Sequence, residues 1–198
     1  MELLLGEEAD NLGNVFPENS VNTFKSLFKN DKNLLSVGSK VLPSMSLVKG
    51  CYSKMFLGCS NMENCPDLPA TEISEKCYVH MFTGCSKLQS VPNLPSTNLS
   101  RYCYHGMFMD CDSINTVTLP ESYLEPNAYS NMFLGSENLN NVTVSYTNPI
   151  EDKSVYDGWL NGVKTNGTFS YNHTEEVEEN TIRNSYNVPG TWDVTKVN

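Results

Sequence analysis

Read as a polymer of near-identical units, the chain is expected to form a short right-handed α/β solenoid of about five coils. Residues 51–76 and 77–102 say nearly the same thing, each opening Cys-Tyr-x-x-Met-Phe-x-Gly-Cys, and Cys103-Tyr104 begins again. A fixed period of this length is the mark of a stacked repeat rather than one compact globule. The position seven residues after the first Cys is Asn30, Gly58, Gly84, Asp110 and Gly135 in successive units, all residue types that tolerate a left-handed backbone.

Residues 1–20 do not match the unit and form an N-terminal arm or cap. Leu3-Leu4-Leu5 would cover the open end of the stack or dock on a partner. Residues 21–145 are the repeat array. The first coil is diverged, with Thr23-Phe24, Leu27-Phe28, Asn30 and Leu34 in place of Cys-Tyr, Met-Phe, Gly and Leu. Later coils start at Cys51, Cys77, Cys103 and Ala128, at spacings of 28, 26, 26 and 25 residues.

Within a coil, apolar residues at positions 0, 1, 4, 5 and 8 match one face of a 3.6-residue period, so the first nine residues read as a helix. Ser74 and Ser100 stand as candidate N-caps. After the turn, position 11 (Leu34, Met62, Leu88, Ile114, Leu139) and position 14 (Val37, Cys65, Val91, Val117, Val142) bracket a short strand. Pro66 and Pro92 argue against long strands, because proline donates no ladder hydrogen bond. Strands stack about 4.8 Å apart and helices about 8–10 Å apart, a mismatch that should curve the array with strands on the concave side.

Residues 146–198 are expected to leave the repeat and form the β-rich C-terminal capping module. Short β segments around Trp159, Phe169 and Val188–Val194 would cover the last coil with Trp159 and Trp192. The acidic run from Glu175 to Glu179 reads as a solvated loop.

The motifs Met55-Phe56…Gly58-Cys59 and Met81-Phe82…Gly84-Cys85, with Pro69-Ala70-Thr71 and Pro95-Ser96-Thr97, resemble the BspA-type leucine-rich repeats. This Cys-Tyr-x-x-Met-Phe-x-Gly-Cys subtype is common in proteins of gut bacteria and their bacteriophages. The tail, Trp159-x-x-Gly162-Val163…Gly167-Thr168-Phe169 and Pro189-x-x-Trp192-x-Val194, resembles the closing module of such proteins. The resemblance covers roughly residues 23–196. It implies an α/β repeat fold, a short curved leucine-rich-repeat solenoid of helix-turn-strand coils, and a role in surface attachment or protein interaction. It implies no shared ligand and no catalytic residues, and the first coil departs from it by lacking the cysteines.

Charge and motifs narrow the function. A net charge of -10 disfavours a phosphate backbone as partner, and the sequence shows no Lys/Arg cluster to offset it. No apolar run approaches the ~18 residues of a membrane span. Met1-Glu-Leu-Leu-Leu-Gly is too short and too acidic for a secretory leader. Six of the seven cysteines occupy positions 0 and 8 of three coils and Cys65 takes a strand position, so repeat phase explains them as small core side chains. Positions 0 and 8 would lie about 12 Å apart along a helix, too far for a disulfide within one coil. No close Cys pair suggests zinc. His80 and His105 should face solvent, away from the thiols, which leaves no nucleophile-base pair. Tyr52, Tyr78, Tyr104 and Tyr129 read as partial core packing.

The candidate interaction surface is the concave strand face: Glu63, Asn64, Gln89, Ser90, Asn115, Thr116, Asn140 and Asn141, a polar and nearly uncharged array of amides and hydroxyls. Such a surface suits an extended backbone or a glycan, although it lacks aromatics for sugar stacking. The expected function is therefore a non-enzymatic interaction or attachment module without cofactor or metal. The leading expectation is a bacteriophage virion component (fibre, decoration or tail-associated subunit) whose partners are other virion proteins or a surface receptor. The alternative is a cell-surface adhesin of a gut bacterium binding host protein or glycan. The expected location is the virion or the cell surface.

Overall fold

The structure is a computed structural model that describes residues 21–37, 42, 46–145, 152–172 and 177–197. The N-terminal arm or cap expected from residues 1–20 lies outside the described residues, as do Glu175 and Glu176 of the acidic run, whose last member Glu179 opens a helix instead of continuing a loop.

Successive repeats lie one on another and hydrogen-bond in parallel along three walls. The first wall holds the nine residues expected to be helical, and they are not a helix. Positions -1, 3 and 7 of every coil have positive φ, from Gly50 (65°), Lys54 (58°) and Gly58 (76°) to Asn127 (60°), Asn131 (54°) and Gly135 (76°). A left-handed residue every fourth position cannot continue an α-helix. The chain forms overlapping four-residue turns instead. Cys51, Ser53, Met55, Leu57 and Cys59 each donate to the carbonyl three residues earlier, at 3.0–3.2 Å. Where the left-handed residue is third in its turn, as Lys54 is, the turn has the type II pattern.

The alternate N–H groups point along the stack. Tyr52, Lys54, Phe56 and Gly58 donate to the carbonyls of Cys77, Val79, Met81 and Thr83, at 2.7–2.9 Å. The same bonds join the third coil to the fourth, the fourth to the fifth, and the first to the second. Every one runs from the earlier coil's N–H to the later coil's carbonyl.

A second wall carries β2 (Thr116–Leu119), β4 (Asn141–Ser145), β5 (Thr168–Asn172) and β6 (Asp193–Lys196), which pair in parallel in that order. In the coils that begin at Cys51 and Cys77 this segment, which contains Pro66 and Pro92, carries no strand. A narrow third wall contains the bridge Ser46–Glu72 and the pair β1 (Asn98–Leu99) with β3 (Tyr123–Leu124), also parallel.

Between the walls lie columns of identical side chains. Phe28, Phe56, Phe82, Phe108 and Phe133 stack at ring-centroid distances of 5.4–5.7 Å. Phe24, Tyr52, Tyr78, Tyr104, Tyr129 and Tyr156 stack at 5.5–6.0 Å. The tyrosines expected to be partly packed are fully so, from Tyr52 at 2% exposed to Tyr129 at 1%. Offset ring stacking adds about 0.5–1.5 kcal/mol per pair beyond the buried area. Because backbone hydrogen bonds set the rise on the turn wall as they do on the strand wall, the helix–strand spacing difference expected to curve the array is absent. The strand face accordingly loses its reason to be concave.

The repeat does not stop near Tyr146. Tyr129, Asn131, Phe133 and Gly135 donate to the carbonyls of Val155, Asp157, Trp159 and Asn161, so residues 155–163 are a sixth turn segment in register. Val155 stands where three of the other coils have Cys, and Gly158 and Gly162 take positions 3 and 7 with φ of 63° and 73°. In register Trp159 follows Met132, and its ring meets Phe133 at 6.3 Å and a tilt of 55°, so it is a member of the sixth segment rather than a lid. Helix α1 (Glu179–Tyr186) closes the turn wall: Tyr186 packs on Tyr156 at 5.0 Å, and the Trp159 Nε1–H donates to the Tyr186 carbonyl at 2.6 Å. Trp192 does seal an end, donating from Nε1 to the Lys164 carbonyl at 2.8 Å. A Cβ at Gly167 would lie 2.6 Å from its indole, so glycine is required there.

Candidate functional site

The eight residues expected on one strand face occupy two consecutive columns. Glu63, Asn64, Gln89, Ser90, Asn115, Thr116 and Asn141 are exposed and Asn140 is half-buried. Adjacent residues that both point outward make a corner, since a strand alternates its faces. Backbone bonds tie this corner together: Glu63 to Leu35, Gln89 to Glu63, and both Asn140 and Asn141 to Asn115, at 2.9–3.2 Å. Only Thr116 and Asn141 of the eight belong to strands.

The strand face proper begins there. One row is Thr116, Asn141, Thr168 and Asp193; the next is Thr118, Thr143, Ser170 and Thr195, all in direct parallel register, with Ser170 buried within its row. Neighbours across strands are about 4.8 Å apart, and the rows about 6.7 Å apart along the strand. Ser170 and Thr195 share a hydroxyl–hydroxyl bond of 3.0 Å. The second row was missed in the sequence, though the alternation in Thr116–Leu119, with Val117 and Leu119 buried, is its signal. The result is a ruled lattice of donors and acceptors in which Asp193 is the charged member.

The thiols offer no nucleophile. All seven cysteines are free, and the six at positions 0 and 8 are 0% exposed. Burial pushes Cys51 and Cys85 up to about 12, and it raises Cys77, Cys103 and Cys111 as well. Position 8 has a further reason to be Cys. Cys59, Cys85 and Cys111 donate S–H to the carbonyls of Phe28, Phe56 and Phe82 in the preceding coil, at 3.0–3.2 Å. In the next coil Ser136 makes the same bond to Phe108, at 2.8 Å.

His80 and His105 are half-buried rather than solvent-facing, with rings 5.1 Å apart edge to face. The Thr83 hydroxyl donates to the Gly106 carbonyl at 2.7 Å, so it accepts from His80 Nδ1, 3.1 Å away. His105 Nδ1 lies 2.6 Å from the Ser130 hydroxyl. Burial lowers both imidazoles below the ordinary value, and His80 is pushed down further by His105 and Lys54. Their partners are hydroxyls, each other and, for His105, the Tyr102 ring 5.7 Å away, which builds a packed patch. Among the described residues, no group of three or more His, Cys, Asp or Glu side chains is placed to hold a metal ion.

A second polar feature lies on the outer side of the turn wall, where the first coils meet. A hollow of about 290 Å³ is lined by Lys25, Lys49, Lys54 and Lys76 together with Val21, Asn22, Gly50, Ser53 and Val79. Lys49 and Lys76 both pair with Glu75, at 2.7 and 2.8 Å, and hydrogen bonds from these two lysines lower the Glu75 carboxyl to about 2. These lysines were missed because they fall at different repeat positions in three coils.

Compared with protein-family models, with curated proteins and with solved structures, the chain matches none. Among the described residues, no helix is long and apolar enough to cross a membrane.

Proposed function

We propose that this chain is a non-enzymatic interaction and attachment module of the leucine-rich-repeat solenoid type, and that it serves as a structural subunit of a bacteriophage virion. The observation that carries the reading is the strand lattice, in which hydroxyls recur in fixed register over four strands, joined by the Asn141 amide. A rigid, nearly uncharged lattice offers matched donors and acceptors to an extended chain, whether a peptide segment of a neighbouring subunit or a glycan. Stacked coils also give such a surface length at little cost in conformational freedom, because each coil is fixed by its neighbours.

Light scattering on the purified full chain, followed by co-sedimentation with phage particles, tests the reading. A defined oligomer or particle-bound chain is the expected result. A chain that stays monomeric at all concentrations and never sediments with particles refutes the virion role. In that case binding to host glycoprotein or glycan arrays would mark it as an adhesin instead.

A further inference from the structure

We propose that the lysine-lined hollow on the turn wall is a binding site for a phosphate or sulfate monoester carried on a small carbon framework. Four lysines line it, and one carboxylate, Glu75, answers the ammonium groups of two of them. Lys25 and Lys54 have no ion-pair partner among the described residues. Such a concentration of positive charge stands out on a chain whose net charge is -10, where carboxylates are in surplus.

The fold holds these cations together against their repulsion. Lys54 is fixed at φ 58° and Lys76 at φ 61° as left-handed members of the turn wall, one coil apart, and hydrogen bonds between coils hold both backbones. Lys25 enters from the first coil, whose Phe24 and Phe28 N–H groups bond to Cys51 and Met55. Lys54 also pushes down the His80 imidazole, as an unneutralised neighbouring ammonium does.

The shape selects the ligand class. A volume of about 290 Å³ exceeds that of a bare tetrahedral oxyanion and sits at the lower end of small-molecule sites. Val21, Val79 and the lysine stems supply apolar wall for a carbon skeleton, while the ammonium groups meet the anionic head. Lysine recognises phosphate as a point charge, so the site reads charge and not planar geometry.

The test is a titration of the full-length chain, followed by amide chemical shifts at constant ionic strength. The probes are glucose 6-phosphate, glucose 6-sulfate and glucose. Both esters should shift the amides of Gly50, Ser53 and Lys54 saturably, and glucose should not. Between about pH 6 and about pH 8 the phosphate ester should tighten as it gains its second charge, while the sulfate ester stays constant. Replacing Lys25→Gln and Lys54→Gln together should weaken both esters at least about tenfold by removing two charge contacts. The pair Lys153→Gln and Lys164→Gln, outside the hollow, should leave binding unchanged. Shifts that never saturate, or that persist in the Lys25→Gln/Lys54→Gln variant, would overturn the proposal.

Discussion

Replacing Lys54 by glycine and, separately, by alanine distinguishes a turn wall from a helix. Lys54 sits at φ 58° in the middle of the segment whose apolar spacing suggests a helix. Both variants remove the same ammonium group, so the charge change cancels in their comparison. At a left-handed position alanine costs about 1–2 kcal/mol from the clash of Cβ with the following carbonyl. Glycine avoids that clash but gives back about 0.5–1 kcal/mol in the entropy of the unfolded chain. The glycine variant should therefore be the more stable of the two by about 0.5–1 kcal/mol. In a helix interior the order reverses, with alanine ahead by about 1 kcal/mol. Urea unfolding of both variants measures the difference, and the sign alone decides. An alanine variant more stable than its glycine counterpart would refute the left-handed column and the hydrogen-bond scheme built on it.

Phe82 is 0% exposed and lies between Phe56 and Phe108, each 5.4 Å away, so Phe82→Ala should cost about 3–5 kcal/mol in the same assay. A loss below about 1 kcal/mol would mean the ring is not in the core. Thiol titration of the native chain should leave the six column cysteines unreacted, because the thiolate is the reactive form and burial suppresses it; unfolding should expose all seven. His80 and His105 titrate below the ordinary 6.5 in the folded chain, so the unfolded state binds protons first as pH falls. Their contribution is complete above about pH 6.5 and is lost progressively below it. Changing both residues to Gln should flatten the pH dependence of stability in that window.

The columns were legible because stacking demands like residues at like positions. Cys-Tyr and Met-Phe recur at fixed offsets and are the side chains found in contact between coils. Their local conformation was misread because apolar positions 0, 1, 4, 5 and 8 fit a period of 3.6 and a period of four almost equally over nine residues. Gly50 and Gly58 flanking Lys54, and Gly106 flanked by Tyr102 and Asp110, carry the four-residue spacing; only its last member was read as a turn signal. The sixth turn segment hid behind substitutions, with Val155 for Cys and Trp159-Leu160 for Met-Phe. The corner formed by Glu63, Gln89, Asn115 and Asn140 was grouped with the strand face because both point outward, and only backbone pairing separates them. The lysine hollow leaves no trace in the sequence, since its cations meet only when the coils are superposed.

One-way hydrogen bonding on the turn wall gives the stack a direction. Each coil hands its N–H groups to the coil that follows and shows its carbonyls to the coil before. On this wall the side of the first described coil away from the stack therefore presents carbonyls, and any segment that lengthens the wall there must bring donors. At the opposite end it is the incoming segment that must bring carbonyls. Two copies placed first coil to first coil would oppose acceptor to acceptor and gain nothing, whereas first coil to last would match. Helix α1 lies across the donor end, with the Tyr186 carbonyl already engaged by Trp159. Growth by this wall is therefore polar, like that of a filament with distinct ends, and one of those ends carries its own stop.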